Sequence, residues 1–497
     1  MLRHWSEHLG GAEPERLELT AWGSLPAAWS ARWRVHPHDP VIRDPGGRWM
    51  DAHELSERSA AVAGRLRRAG ARPGDRVVMA ATASNALVVA HCAALRAGLV
   101  VVPLNPAATR RELEVLLGDA RPRVAVLGPR SLSEWAAAID RELVVTSPEV
   151  TLEDGPVPAL DGPQPDHVAM IIYTSGTTGA PKGAALSHAN LLAGAQSVRL
   201  AWEWAPEDRL ILCLPLCHVH GLCIGLHGSL LSGGAALLLE RFDTELILDA
   251  CEAGATLFFG VPTMYQRLIE AERPERLGRL RLCVCGSAPL SVELHHHVAE
   301  RCGQVVLERY GMTETLLTVS NPLRGERRAG TVGFPLPGVE LRLDERSSEI
   351  LVRGPSVFAG YRAAPETNAA AFEEGWFRTG DIGQLDDGYL RIVGRARELI
   401  ISGGYNVYPR EVEDVLRAFA HVRDAAVVGR PSAQWGEEVI AFVEADEQLD
   451  VAALAQHAAA ELAFYKRPRA LHRVDELPRN LLGKVLKERL GGAPTSS

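Results

Sequence analysis

Short, continuously apolar runs alternate with helix-patterned stretches through roughly the first three hundred residues, and that alternation narrows the possible folds most. Runs at 76–80, 99–103, 123–127, 168–172, 256–261, 281–285 and 305–308 read as strands, with a helical pattern at 85–98 between two of them. Strands apolar on both faces need cover on both sides, which parallel sheets flanked by helices supply. After Gly330 the texture shifts to Gly/Pro-punctuated strands at 349–352, 389–393 and 398–402, the mark of a small barrel or antiparallel layer. The end of the chain carries a helix at 409–419, strands at 424–428 and 439–443, and a helix at 451–462. The expected fold is therefore α/β: a large N-terminal domain of parallel sheets covered by helices plus a small β-barrel, followed by a smaller α+β C-terminal domain. The boundary falls at 395–397, giving domains 1–395 and 396–497.

A chain of 497 residues with 46% hydrophobic and 23% charged residues is of ordinary globular composition. Its net charge of −9 argues against nucleic acid or an anionic membrane surface as the main partner. The most apolar stretch, 210–239, is broken by Pro215, His218, His220 and His227 and reads as buried core, not a membrane span. The start, MLRHWSEHLGG, shows no secretory signal, and the eight cysteines are scattered, so a cytoplasmic protein with reduced thiols is expected.

Lysine is scarce. Of 53 basic residues only Lys182, Lys466, Lys484 and Lys487 are lysine. Lys182 closes YTSGTTGAPKGA, residues 173–184, which follows a strand pattern and precedes a helix whose N-cap is expected at Ser187. Gly176, Gly179 and Gly183 allow close approach of backbone amides to a ligand, and Thr174, Ser175, Thr177 and Thr178 add hydroxyl donors. The spacing is not that of a Walker A loop, yet the composition suits phosphate.

That loop, with PLCHVHG (215–221), YGMTET (310–315), FRTGD (377–381), GRARELI (394–400), GGYNVYPREVE (403–413) and PRNLLGK (478–484) in order, resembles the adenylate-forming superfamily over nearly the whole chain. Acyl-CoA synthetases, luciferases and peptide-synthetase adenylation domains share it. The resemblance implies that Ser175–Gly179 and Lys182 cradle the phosphates of ATP, with Tyr310 and Thr313 at the nucleotide. Glu314 and Thr174 would hold Mg²⁺, as hard oxygen donors do. Asp381 would take the ribose hydroxyls, with Arg395 as a second ribose contact. Lys484 would bridge the substrate carboxylate and the α-phosphate, stabilising charge where two anions meet. Because Lys484 is remote in sequence, the C-terminal domain is expected to rotate about a hinge at Arg397, where an aspartate or lysine is more usual. Gly403 and Gly404 would then line the path of the CoA thiol.

The stretch 307–342 is similar to malonyl-CoA synthetases, supported by GVPTMYQRL (260–268) and CGSAPL (285–290). A malonate or methylmalonate substrate has a second carboxylate that needs a cation or several donors when buried. The candidates are Arg241, Arg281, His218 and Ser287. Leu316, Leu317 and Thr318 suggest an apolar wall suited to a branched malonate or a longer acyl chain. A medium-chain fatty or aryl acyl-CoA synthetase is the alternative, and a non-catalytic ligand-binding protein a remote one. The small residues after Leu490 leave no room for a fused carrier protein, so free CoA is the expected acceptor. Cys213, Cys217, His218, His220 and Cys223 have poor spacing for structural zinc, and 295–297 reads as a helix face.

Overall fold

The computed structural model describes residues 2–11, 17–174, 182–402, 405–432, 435–480 and 483–490. Two large sheets organise the N-terminal part. The first has six strands in the spatial order Val144–Thr146, Val124–Leu127, Arg76–Ala80, Val100–Pro103, Val168–Thr174 and Lys182–Ser187. All its pairings are parallel except the last, a hairpin. The second runs Phe334–Pro335, Leu316–Ser320, Leu307–Met312, Leu282–Cys285, Leu257–Gly260, Arg209–Leu212, Ala235–Leu238, Pro40–Arg43 and Met50–Asp51. Its middle is parallel and its two ends antiparallel.

One hydrophobic core joins the two sheets, containing Val77, Val101 and Val124 of the first with Leu212, Leu282 and Val284 of the second. Between them lie Asn85–Arg96 and His188–Ala201, helices buried on nearly every side, as their all-round apolar composition requires. Ser187 caps the second as expected: its hydroxyl accepts from Asn190 N, and Asn190 Oδ1 accepts from Ser187 N in return. The apolar stretch 210–239 resolves into a strand, a π-helix at His220–Leu226, the helix His227–Ser232 and another strand, all inside this core. Among the described residues no helix is long and apolar enough to cross a membrane.

An antiparallel sheet of Glu340–Leu343, Glu349–Arg353, Trp376–Asp386, Phe372–Glu373 and Tyr389–Arg395 stands where the small barrel or antiparallel layer is expected. It is an open, curled sheet. The C-terminal unit has its own five-stranded sheet, Tyr405–Val407, Ile400–Ser402, Gly436–Ala445 and Val422–Ser432 in order, with Ala470–Val474 beside Gly436–Ala445. Among the described residues its core, including Ile400, Val412, Leu416, Val427, Val439 and Leu454, draws on none before Ile400. The architecture is thus the expected α/β arrangement with a smaller C-terminal unit.

Candidate active site

Parallel strands leave their ligand-facing groups at their C-terminal ends, and the candidate residues gather there. Thr174 ends its strand and Lys182 begins the next; their Cα atoms pair across the mouth of the hairpin. Thr174 Oγ1 donates to Lys182 O over 3.5 Å. The strand Lys182–Ser187 stands between the loop and the helix, so the expected strand–loop–helix is instead a β-hairpin. Ser175, Gly176, Thr177, Thr178 and Gly179, and likewise Gly403 and Gly404, lie outside the described residues.

Lys182 places its ammonium 5.7 Å from the centre of the Tyr361 ring. The Tyr361 hydroxyl donates to Glu314 Oε1 over 2.8 Å. Glu314 is buried, and burial pushes its carboxyl above the ordinary range. Among the described residues no group of three or more His, Cys, Asp or Glu gathers around a common point. The Glu314 carboxylate and the Thr174 hydroxyl are hard oxygen donors of the kind that suit Mg²⁺, which keeps most of its waters and takes few protein ligands.

Tyr310 and Asp381 meet directly. The Tyr310 hydroxyl donates to Asp381 Oδ2 over 2.6 Å, and Arg395 Nε lies 3.0 Å from Asp381 Oδ1. YGM of YGMTET forms the end of the strand Leu307–Met312, four residues beyond the expected strand end at 308. Asp381 lies inside the long strand Trp376–Asp386. Pairing shifts register there: Leu351 faces Arg378 and Glu349 faces Ile382, so residues 379–381 form a bulge that re-aims Asp381. Each carboxylate oxygen carries two lone pairs, so Asp381 retains capacity for a diol while its partners fix its orientation. Thr313 sits half-buried in the turn between Met312 and Glu314.

Lys484 joins this group from the far end of the chain. Its turn is closed by Asn480, which accepts Lys484 N on Oδ1 over 3.0 Å and donates its own N to Lys484 O over 2.9 Å. Gly483 has φ of +73°, and a Cβ there would sit 2.8 Å from Thr263 Oγ1. Glycine therefore lets the turn dock against Thr263, beyond the end of the strand Leu257–Gly260. Burial, then the neighbouring Arg395, push the Lys484 ammonium down to about 8, with Arg397 adding to and Glu398 opposing that shift. Lys487, the kind of lysine that merely solubilises a C-terminus, instead pairs with Glu413 at 2.6 Å and Glu398 at 3.2 Å. Arg397 is exposed in the short turn Ala396–Glu398.

The expected substrate residues divide. Ser287, held at φ +70°, shares a hydrogen bond of 3.2 Å with His220 Nδ1. His218 is half-buried two residues before His220, and burial lowers its pKa. Arg281 is not part of this group: it grips Asp208 through Nε at 2.6 Å and Nη2 at 2.5 Å, at the N-terminal end of its strand and so away from Ser287. Arg241 is exposed. Leu316 packs against Gly194 of a core helix, and Leu317 and Thr318 are buried with it.

Arg309 is the residue that sequence reasoning passed over. It is 6% exposed, its Cζ lies where a Cβ on Gly286 would be 2.4 Å away, and its Nε and Nη2 are buried without hydrogen-bond partners among the described residues. Burial lowers even this guanidinium to about 10. His220 Nε2 is buried and, among the described residues, unpartnered as well, and burial, then the charge of Arg309, keeps His220 neutral. The neighbouring Glu308 holds the same loop from the other side, its Oε1 accepting Leu290 N over 3.1 Å. An arginine inside an apolar strand pattern, one residue before YGMTET, was the available signal.

The fold and these clustered groups define a ligase of the AMP-forming, acyl-CoA-synthesising class. The chain belongs to the AMP-binding enzyme family, whose model matches residues 29–362, with the AMP-binding enzyme C-terminal domain at 411–484. It is 37% identical over 474 residues to a feruloyl-CoA synthase of Amycolatopsis sp., covering 92% of this chain and 96% of that protein. It is 35% identical to the mitochondrial malonate–CoA ligase of Mus musculus, covering 88% and 85%. Among solved structures it is similar to ATP-bound MatB from Rhodopseudomonas palustris, at 37% identity and a TM-score of 0.89 over 94% of this chain and 98% of that one.

Proposed function

We propose that this enzyme activates a small dicarboxylic acid, malonate or methylmalonate, as its acyl-adenylate with release of pyrophosphate, and then transfers the acyl group to CoA. Arg309 carries the substrate assignment. A buried guanidinium with two unpartnered nitrogens is costly unless a ligand anion completes it. Ser287 and His220 beside it supply further polar contacts for the same carboxylate. The similarity to a malonate–CoA ligase supports this choice. The similarity to a feruloyl-CoA synthase keeps an aryl substrate as the second reading, and an uncharged acyl group would leave Arg309 without a counter-ion.

ATP fits the hairpin and its surroundings: Lys182 and the loop for the phosphates, Asp381 with Arg395 for the ribose, and Tyr310 at the base. Mg²⁺ would be held by Glu314 and Thr174 and would neutralise phosphate charge there. Lys484, a cation between Arg395 and the end of the strand Leu257–Gly260, suits the point where carboxylate and α-phosphate meet. For the second half-reaction that point must open to a thiol. We place the moving unit at 396–497, after 1–395, with Arg397 in the turn that flexes. Its exposed aromatic face suits the adenine and phosphates of CoA: Arg469 lies 4.2 Å over Trp435 and 4.7 Å over Phe464, beside Tyr405 stacked on Tyr465. Eight free, buried cysteines fit a cytoplasmic location.

Mass spectrometry of the thioesters formed from ATP, Mg²⁺, CoA and a panel of malonate, methylmalonate, acetate, octanoate and ferulate tests this reading. Malonyl- or methylmalonyl-CoA as the dominant product is expected. Feruloyl-CoA or octanoyl-CoA alone would overturn the substrate assignment.

A further inference from the structure

Residues 360–362 run beside the strand Lys182–Ser187 as an added edge. Ala185 N donates to Gly360 O over 3.3 Å, Arg362 N donates to Gly183 O over 2.8 Å, and Tyr361 bridges to Ala184. Asn368 grips Tyr361 with both ends of its amide: Oδ1 accepts Tyr361 N over 2.7 Å, and Nδ2 donates to Tyr361 O over 2.8 Å. Phe358 meets the ring edge-on, with centroids 4.9 Å apart. Strand, amide and ring thus fix one tyrosine from three directions.

From that position Tyr361 touches two groups that come from distant parts of the chain. Its hydroxyl donates to Glu314 Oε1, and its ring face lies under the Lys182 ammonium. We infer that Tyr361 is a positioning residue that aligns the acid and the base of the phosphate site with each other; the inference rests on the ATP reading above. A hydrogen bond to one carboxylate oxygen fixes the rotamer of Glu314 and leaves the other oxygen for a cation, as outer partners of metal ligands do. The ring attracts the ammonium without occupying its N–H donors, so Lys182 is held in place with its hydrogen bonds free for phosphate. A carboxylate in the place of the ring would neutralise the lysine. Among the described residues Tyr361 makes no hydrogen bond to Tyr310, Asp381 or Arg395 at the nucleoside end of the site.

Equilibrium binding of MgATP and of AMP, measured by titration calorimetry on the full chain, separates the contributions. Tyr361→Phe keeps the ring and should weaken MgATP about tenfold, the worth of a hydrogen bond to a charged group, while raising the Mg²⁺ concentration needed for binding. AMP, which lacks the β- and γ-phosphates, should keep its affinity within about twofold. Tyr361→Leu removes the ring as well and should weaken MgATP about a further fivefold. If the leucine variant does not fold, the phenylalanine variant decides alone. Unchanged MgATP affinity and Mg²⁺ requirement in Tyr361→Phe would overturn the inference, as would equal losses for MgATP and AMP. Absence of MgATP binding to the unaltered protein would overturn the ATP reading, and the inference with it.

Discussion

The Tyr310 hydroxyl and the Asp381 carboxylate share a 2.6 Å hydrogen bond across 71 residues of sequence, joining the end of a core strand to a bulge in the curled sheet. A carboxylate so held presents its remaining lone pairs in one direction. Tyr310→Phe should therefore lower nucleotide affinity about tenfold with little change in melting temperature. Asp381→Ala should cost more, because it leaves Arg395 without its partner as well. Binding of AMP by calorimetry checks both.

In the proposed adenylation step Lys484 acts as a cation, and burial with Arg395 brings its pKa down to about 8. Its charge is present below that pH and lost above it. The rate of acyl-adenylate formation under kcat/KM conditions should accordingly fall as pH rises through about 8. Lys484→Ala should reduce adenylation by at least about a hundredfold and leave thioester formation from supplied acyl-adenylate far less affected. Separate assays of the two half-reactions across pH 6 to roughly 10 read this directly.

Arg281 and Asp208 form a structural pair, with the Asp208 side chain 4% exposed. Arg281→Ala should destabilise the protein by about 1–2 kcal/mol, since the arginine end is partly solvated. Substrate selectivity should not change. A shift in the ratio of dicarboxylate to monocarboxylate turnover would return Arg281 to the acyl pocket.

Acid should destabilise the fold. Burial lowers His8 and His188 to about 4 and His91 to about 3, from 6.5, and drives His220 and His227 well down too. Below pH 6.5 the unfolded chain binds protons that the folded chain refuses, so stability falls with falling pH until those folded values are reached. Each histidine contributes about 1.4 kcal/mol per pH unit across that window. Glu308, pushed up to about 7, works in the opposite direction between its ordinary value and neutrality, as do the raised carboxyls of Glu314 and Asp44, but the lowered histidines, His218 and His295 among them, outnumber these. Thermal melts between pH 7 and about 4 should show a steady fall in melting temperature.

The sequence made much of this readable because its strongest signals are local. Apolar runs marked the parallel strands, and Ser187 marked a helix start, since capping depends only on neighbouring residues. Features set by pairing across the chain were harder to see. The hairpin strand Lys182–Ser187 was hidden because its residues also fit an approach to the following helix. The bulge at 379–381 inside a long strand was hidden too, since only the register against Glu349–Arg353 reveals it. Arg281 and Arg309 were equally plausible carboxylate ligands by residue type. Their surroundings differ: Arg281 immediately precedes the strand Leu282–Cys285 and pairs with Asp208, whereas Arg309 lies in the middle of Leu307–Met312, against Gly286 just past the end of the neighbouring strand. His220 was weighed only for metal, although its partner is Ser287.

Arg309 offers the most direct measurement. The ratio of kcat/KM for malonate to that for butyrate, a chain of similar size without the second carboxylate, should favour malonate by at least about a hundredfold, as expected when a site's buried polar groups must be paired. In Arg309→Leu that preference should collapse to within about tenfold, with ATP affinity retained. Equal use of the two acids by the unaltered enzyme, or an undiminished malonate preference in Arg309→Leu, would contradict the account.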